Sequence, residues 1–324
     1  MDLYQRSVRV GLSVLLCSIS IRFFSTDLPQ KFWNWLRSPD GAAFLIYAET
    51  GRDVRFSPSS GGFIPAFVET PAPFLPEPEV PPVPAVSDPE MVELTYGCAV
   101  DPDIETLLAQ PLTWDLYGSE PTVLILHTHG TESYTKKKEV YTETSLWRTL
   151  DEDYNMLSVG AHLAQLLTEA GIPTVQDREL HDYPSYNGSY VHARSSIAQY
   201  LEEYPSIRLI LDLHRDASEG TGGQLRTLAH VDGNPAAQLM VVLGTNHQGY
   251  EENLSLALKL HAQLETQSPG ITRPLQLRGQ RFNQDLLPGA LLIEVGAAGN
   301  SHAEAIAATG QLAQAVIALA KGTQ

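Results

Sequence analysis

The stretch TVLILHTHGTE, residues 122–132, decides the fold of this chain. It begins with a short run of aliphatic and β-branched residues bounded by polar ones, which is typical of a buried strand in a parallel sheet. The run leads directly into His127, His129 and Glu132. A buried strand therefore carries metal-binding and acid–base side chains to its carboxyl end.

Similar patterns continue to the end of the chain. Short apolar runs predict further strands, and apolar residues at helical spacing predict helices. The strands are predicted at 172–175, 208–213, 239–243 and 290–295, and the helices at 156–170, 195–204, 254–264 and 303–320. Because strands and helices alternate, we expect an α/β fold with a mostly parallel sheet and helices on both faces.

Two more predicted strands bring chemically active residues to the same edge of such a sheet. One runs into Asp212, His214, Arg215 and Asp216, and the other contains Glu294 in an apolar surrounding. Ligands of open α/β sheets bind at the carboxyl ends of the strands. We therefore expect the functional site where these strands end.

A catalytic zinc site uses three protein ligands and leaves one position open, and bound zinc makes water more acidic. We expect His129, His214 and a carboxylate to bind Zn²⁺, with Glu294 as the general base. Each residue also has a structural interpretation: a strand-end histidine can be a core residue, and Glu294 can pair with Arg215 or Arg281. Asp212 and Asp216 are expected to orient their neighbours.

The chain before the predicted sheet has a different character. Residues 1–30 contain an apolar run after Arg6 and Arg9, which predicts a single membrane anchor or, as the alternative, a cleaved secretory signal. Residues 31–90 lead into a stretch so rich in proline that it predicts an extended linker. We therefore expect a catalytic domain at 91–324, outside the cytoplasm at the cell membrane.

Composition excludes two classes of site. The net charge of −17 argues against nucleic acid as a partner, because phosphate binding needs clustered Lys and Arg. The two cysteines, Cys17 and Cys98, form no CxxC motif, so neither a thiolate zinc site nor a disulfide scaffold is expected.

Six segments resemble the motif blocks of the stage II sporulation protein P family. They are LILHTHGTESYT (124–135), LHDYPSYNGSY (180–190), YPSIRLILDLHRDA (204–217), ENLSLALKLH (252–261), TRPLQLRGQRFNQDL (272–286) and LLIEVGAAGNSHAEA (291–305). The resemblance implies an N-acetylmuramoyl-L-alanine amidase with endopeptidase activity, acting on peptidoglycan in the septal wall during engulfment. It also implies the sporulation stage II proteins D and M as partners.

The resemblance extends to individual site residues. By the more distant similarity to zinc amidases, His129 and His214 look like metal ligands and Glu294 like the glutamate of the late strand. Glu132 is the preferred third ligand, with Glu143 or an aspartate at 151–153 as alternatives, and His127 is either a fourth ligand or a polar wall.

Two polar loops and one strand end are expected to contact the substrate. The residues expected to do so are Tyr186, Asn187, Arg215, Arg281, Asn283 and Gln284. Two further functions remain open: a peptidoglycan-binding scaffold without catalysis, and a metallo-endopeptidase that cuts only stem peptides.

Overall fold

The computed structural model of the chain describes residues 92–112, 114–220 and 223–321. The predicted anchor and proline-rich linker lie outside these residues. The strands are β1 (Leu94–Gly97), β2 (Val123–Leu126), β3 (Glu143–Ser145), β4 (Arg148–Thr149), β5 (Thr174–Gln176), β6 (Leu209–Asp216), β7 (Glu219–Gly220), β8 (Gly223–Gln224), β9 (Leu228–Val231), β10 (Asn234–Ala237), β11 (Leu239–Gly244), β12 (Leu275–Arg278) and β13 (Ala290–Ala297). The helices are α1 (Ile104–Ala109), α2 (Met156–Glu169), α3 (Ser189–Glu203), α4 (Tyr250–Gln267) and α5 (His302–Lys321), with a 3₁₀ turn at Gln284–Leu286.

Seven strands form the central sheet in the order β1-β12-β11-β13-β6-β2-β5. Neighbouring strands run parallel except β11 and β13, which pair antiparallel. The prediction of a mostly parallel sheet is confirmed. The antiparallel pair was not predicted. It joins two parallel groups of strands, β1-β12-β11 and β13-β6-β2-β5, and the strands of the two groups have their carboxyl ends at opposite edges of the sheet.

Helices cover both faces of the sheet, as predicted. The large core contains residues of α1, α2, α4 and α5 packed against one face, including Leu163, Leu258 and Leu312. On the other face, Ala193 and Ile197 of α3 belong to a core with Leu124, Leu126 and Ile210.

The second face continues past the part that α3 covers. A small apolar cluster lies there, formed by Met240, Val242 and Leu292 with Phe282 packed against it. All three buried members belong to β11 and β13, the strands that pair antiparallel. This part of the face lies beside the candidate site described below.

Helix α5 is long and apolar enough to cross a membrane by composition, with a mean hydropathy of 1.3, and no other helix in the described part of the chain meets that test. However, 61% of its apolar window is buried in the protein. Leu312 and Val316 pack into the large core. Helix α5 therefore fits the role of a core helix of the catalytic domain.

Helix α3 begins at Ser189, six residues before the predicted start at 195. Its first two turns are polar and alternate between buried and partly exposed side chains, so apolar spacing gives no signal there. The earlier start places Tyr190 in the first turn, beside the strand ends.

Candidate functional site

Strands β13, β6 and β2 lie side by side and parallel, so their carboxyl ends meet at one edge of the sheet. In the pairing of β13 with β6, Glu294 lies opposite His214, which puts both side chains on the same face. The register then shifts before Ala297. Gly296 permits this irregularity, since its φ is +71° and a Cβ there would lie 2.7 Å from Ala237 Cβ.

The turn after β2 brings His129 and Glu132 to the same place. Asp212 on β6 holds this turn, accepting hydrogen bonds from Thr128 N at 2.8 Å and Thr128 Oγ1 at 2.6 Å. The ring centroids of His129 and His214 are 5.2 Å apart, and His214 Nδ1 lies 3.9 Å from Glu132 Oε2. Both histidines and Glu132 are buried.

The carboxylate of Glu132 is fixed by two arginines. Its Oε2 accepts a hydrogen bond from the backbone N of Arg215, and its Oε1 accepts one from Arg148 Nη2 at 3.2 Å. Although burial opposes ionisation, the charges of Arg215 and His214 lower the pKa of Glu132 below its usual value. A carboxylate oxygen accepts two hydrogen bonds, so Oε2 keeps an acceptor position on the side of His214.

The protonation states of the site follow from its burial and charges. Burial lowers the pKa of His129 to about 4, so this imidazole is neutral at pH 7. Burial also disfavours charge on His214, but Asp212 and Glu132 outweigh it and raise its pKa to about 9. Burial raises the pKa of Glu294 to about 8, which leaves this carboxyl mostly protonated at pH 7.

Several buried polar atoms of the site have no hydrogen-bond partner. They are His129 Nδ1, His214 Nε2 and Glu294 Oε2. His214 Nε2 lies 3.0 Å from Asp212 Oδ1, an ion-pair distance without hydrogen-bond geometry. Buried polar groups are rarely left unpaired, so His129 Nδ1 and Glu294 Oε2, which have no charged neighbour at such a distance among the residues described, indicate a missing partner at this strand edge.

Within the described ranges, no three His, Cys, Asp or Glu side chains are grouped so as to hold a metal ion as they stand. The donor types nonetheless fit zinc, because two buried imidazoles and a carboxylate with a free acceptor position converge here. A buried imidazolium between two carboxylates also shows that a cation is electrostatically favoured at this position.

His127 differs from His129, although the two are separated by a single residue. Its Nδ1 donates to Leu213 O at 3.2 Å, and its Nε2 accepts from Gln176 Nε2 at 3.0 Å. Because both ring nitrogens are occupied, the structure favours the polar-wall interpretation of His127 over the fourth ligand.

Glu143 and Asp151, which the sequence also allowed as the third ligand, have contacts of their own. Glu143 faces Lys136 at 3.9 Å, and Asp151 accepts a hydrogen bond from Asp153 N within its own turn. Glu132, by contrast, is the carboxylate placed beside His214. The structure therefore favours Glu132 for this position.

Aromatic rings surround the two histidines. The ring of Tyr186 stacks on His129 at a centroid distance of 4.5 Å, and the Arg148 guanidinium lies 4.8 Å from the centroid of the Tyr186 ring. Tyr190 lies edge-on to His129 at 5.6 Å and stacks on His214 at 6.3 Å. Tyr186 remains 55% exposed, so its ring forms an open rim above the buried site.

Some residues expected to bind substrate have structural contacts instead. Gln284 is buried, accepts from Gly244 N at 2.7 Å and donates to Val242 O at 2.9 Å. Arg215 donates from Nε to Ser133 O and from Nη2 to Trp147 O. Both side chains are thus engaged by backbone groups, and their expected contacts with substrate stay predictions.

The remaining expected residues stay near the rim. Asn283 donates to Tyr190 O at 2.8 Å and so connects its loop to the start of α3. Arg281 is largely exposed and lies 3.6 Å from Asp285, while Asn187 is exposed in the loop that carries Tyr186. Asp216 pairs with Arg273. Among the residues described, no arginine forms an ion pair with Glu294 within 4 Å.

Sequence reasoning missed Arg148, which connects several parts of the site. Besides Glu132, it contacts Thr131 Oγ1 at 3.1 Å and Asp182 Oδ2 at 2.5 Å. It belongs to the hairpin β3–β4, which has no apolar periodicity and gives no sequence signal of its own. The one available signal was its position between the first two motif blocks.

Comparisons with known proteins identify a family. The sequence profile described as Stage II sporulation protein P matches residues 86–317, well over half of the chain. The curated protein Stage II sporulation protein P of Bacillus subtilis (strain 168) is 29% identical over 198 residues. That match covers 58% of this chain and 48% of the relative, so it spans about half the relative's length.

Two solved structures share part of the fold. The CwlD amidase from Clostridioides difficile, solved in complex with the GerS lipoprotein, has a TM-score of 0.39 and 13% identity, covering 62% of this chain and 95% of its own. The N-acetylmuramoyl-L-alanine amidase AmiC2 of Nostoc punctiforme has a TM-score of 0.38 and 14% identity, covering 64% and 97%. We therefore take the family from the sequence match alone.

Proposed function

The chain belongs to the Stage II sporulation protein P family, and from this premise we propose that it is a zinc-dependent N-acetylmuramoyl-L-alanine amidase that hydrolyses peptidoglycan. The observation that carries the proposal is the convergence of His129, Glu132, His214 and Glu294 at one strand edge, with unpartnered buried atoms on His129 and Glu294. A binding surface has no need of such atoms, whereas a hydrolytic centre does.

In this proposal His129, Glu132 and His214 hold the zinc ion. His129 is a neutral imidazole and Glu132 an ionised carboxylate, which are the states that ligands need. His214 would release its extra proton to solvent when it binds the metal, and Asp212, 3.0 Å from Nε2, would orient its ring. Zinc supplies Lewis acidity there, polarising the scissile carbonyl and making water more acidic.

Glu294 is the proposed general base and acid. It lies on the same face as His214, and its Oε2 is buried without a partner, so this oxygen is free to accept and return a proton. Positive charge beside it would favour its ionised form, opposing the effect of burial. Glu294 would then take a proton from water and deliver it to the leaving amine.

The surrounding residues position the substrate and exclude water. Tyr186 offers an exposed ring above His129, and Tyr190 closes the side of His214. Arg148 keeps both Glu132 and the Tyr186 ring in place. Asn187, Asn283 and Arg281 remain candidates for polar contacts with sugar or peptide groups at the rim.

We further propose that the protein acts in septal wall degradation during engulfment. In this setting it would be held at the cell membrane by its N-terminal segment, with the catalytic domain outside the cytoplasm. The sporulation stage II proteins D and M are its proposed partners. These assignments follow from the family and from the N-terminal sequence.

Product analysis of digested peptidoglycan tests the proposal. The full chain is incubated with purified peptidoglycan and zinc, and the released material is identified by mass spectrometry. An amidase releases complete stem peptides that begin with L-alanine and leaves bare sugar strands. Shorter peptides alone would identify an endopeptidase, and binding without any release, even with partner proteins added, would identify a scaffold without catalysis.

A further inference from the structure

A groove runs along the second face of the sheet, away from the candidate site. Its floor is formed by Met240, Val242 and Leu292, and one wall by Tyr190 and Phe282. Glu294 lines its inner end, and the cavity has a volume of about 210 Å³. The groove therefore starts at the proposed general base and continues over the antiparallel junction of β11 and β13.

Arg278 lies at the far end of this groove, together with Gln276. Its Nη2 donates a hydrogen bond to Gln276 Oε1. Gly97 on the edge strand β1 leaves room for the Arg278 side chain. A Cβ at position 97 would lie 3.1 Å from Arg278 Cδ and 3.5 Å from Arg278 Nη1. The edge of the sheet is thus shaped to hold a guanidinium above it.

The Arg278 guanidinium has no carboxylate within 4 Å among the residues described. Most other arginines of the described chain are paired with one: Arg148, Arg178, Arg194, Arg215, Arg226, Arg273 and Arg281. Arg208 also has no carboxylate partner, but it lies at the amino end of β6 and donates to backbone carbonyls of its own turn. Arg278 therefore supplies the unneutralised positive charge of the groove.

The strand register sets the distance between the two ends. Glu294 on β13 lies opposite Met240 on β11. Two residues further along β11, Val242 lies opposite Gln276 on β12, the residue that Arg278 contacts. With strand spacings near 4.8 Å and about 3.3 Å per residue, this separation is about 12 Å. Two extended peptide residues span about 7 Å, and a hydrogen-bonded contact of about 3 Å at each end brings the total to about 13 Å, close to this separation. A ligand with a scissile amide at Glu294 and an anionic group two residues further along therefore fits.

We propose that the groove binds the peptide side of the peptidoglycan substrate and that Arg278 binds the first free carboxylate of the stem peptide. The inference rests on the proposed function. In the substrate the lactyl carboxyl is already part of the amide, and the N-acetylated sugars are neutral. An anionic group near the cleaved bond must therefore belong to the peptide, and the apolar floor suits the alanine side chain between them.

Two synthetic muramyl peptides that differ in one group test this assignment. One carries D-isoglutamate after L-alanine, with a free α-carboxylate, and the other carries D-isoglutamine, with a carboxamide. We expect the full chain with zinc to cleave the carboxylate form about tenfold more efficiently, mainly through a lower KM, since a charge-assisted pair is lost with the amide. Arg278→Gln should abolish this preference.

Arg208→Gln is the matched control, because it removes an arginine without a carboxylate partner that lies outside the groove, at the amino end of β6. It should retain the wild-type preference. Equal cleavage of both peptides by the wild type, or a preference that survives in Arg278→Gln, overturns the assignment while leaving the proposed amidase intact. Failure to cleave either peptide, with peptidoglycan also untouched, overturns the proposed function and this inference with it.

Discussion

Two glutamates, ten residues apart, have opposite surroundings. Glu304, in the first turn of α5, accepts hydrogen bonds from Lys137, Arg226, Asn300 and the backbone N of Ser301. These partners outweigh the effect of burial and hold the pKa of Glu304 well below its usual value. Glu294, on β13, has a buried oxygen without a partner, and burial raises its pKa to about 8.

The difference distinguishes a structural carboxylate, Glu304, from the carboxylate that we propose to be catalytic, Glu294. Glu304 joins three segments of the chain, and all its interactions are made within the protein. Glu294 has the same chemistry in an equally apolar part of the fold, but its environment leaves it able to exchange a proton. The unpartnered oxygen of Glu294 therefore supports the edge where β2, β6 and β13 end as the proposed site of hydrolysis.

Replacing Glu294 by Gln should have the largest effect on catalysis. We expect kcat/KM for stem-peptide release to fall about 1,000-fold, since the general base is lost, which corresponds to about 4 kcal/mol. The free energy of unfolding should change by less than about 0.5 kcal/mol, because no hydrogen bond of Oε2 is broken. Hydrolysis assays and urea denaturation measure the two effects, and an active Glu294→Gln enzyme would remove the basis of the comparison.

Replacing Glu304 by Gln should give the reverse result. We expect the free energy of unfolding to fall by about 2 kcal/mol, a moderate loss because Arg226 and Lys137 are partly exposed and can be rehydrated. Where the variant remains folded, its kcat/KM should equal that of the wild type. A large loss of activity in fully folded Glu304→Gln would show that the two carboxylates are not separate in function.

Gln284→Ala distinguishes a structural side chain from a substrate contact. We expect it to lower the free energy of unfolding by roughly 1.5 kcal/mol, because Gly244 N and Val242 O lose their partner. KM should stay within about twofold of the wild type. Arg281→Gln, at an exposed side chain in the same loop, is the control for the free energy of unfolding. A rise in KM well above twofold in folded Gln284→Ala would support the predicted contact of Gln284 with substrate.

Acid should reduce the difference between the wild type and Glu304→Gln. The unfolded chain protonates Glu304 near 4.5, whereas the folded chain keeps it ionised to lower pH, so below 4.5 the unfolded state binds more protons. The stabilisation from Glu304 is thus complete above this value and is lost as pH falls, by up to about 1.4 kcal/mol per unit. Denaturation of both proteins between pH 6 and 3 measures this, and a constant difference would contradict it.

Much of the fold could be predicted because its central strands are apolar runs. The edge strand β1 and its neighbour β12 were missed, since LTYG and LQLR are short and partly exposed. The antiparallel direction of β11 could not be predicted either, because LMVVLG is apolar throughout and carries no sign of its orientation.

Site residues at the ends of apolar strands could be predicted from the sequence. Site residues whose position depends on tertiary contacts could not. His129, His214 and Glu294 follow from their positions after or within buried strands, and the structure brings them together. Arg148 lies on a hairpin without periodicity, so its contact with Glu132 depends on folding alone. Gln284 and Arg215 look like binding residues in sequence, because sequence does not show whether a polar group faces a ligand or the protein's own backbone.

The most direct test of the metal centre is the zinc content of the full chain after equilibrium dialysis, compared with that of His214→Ala and His162→Ala. His162 is a matched control, since its ring bonds to Thr309 Oγ1 in the helical layer, away from the strand edge. We expect one zinc ion per chain in the wild type and in His162→Ala, and none in His214→Ala. Absence of zinc from the wild type, or full retention of it in folded His214→Ala, would contradict the assignment of this edge as the metal centre.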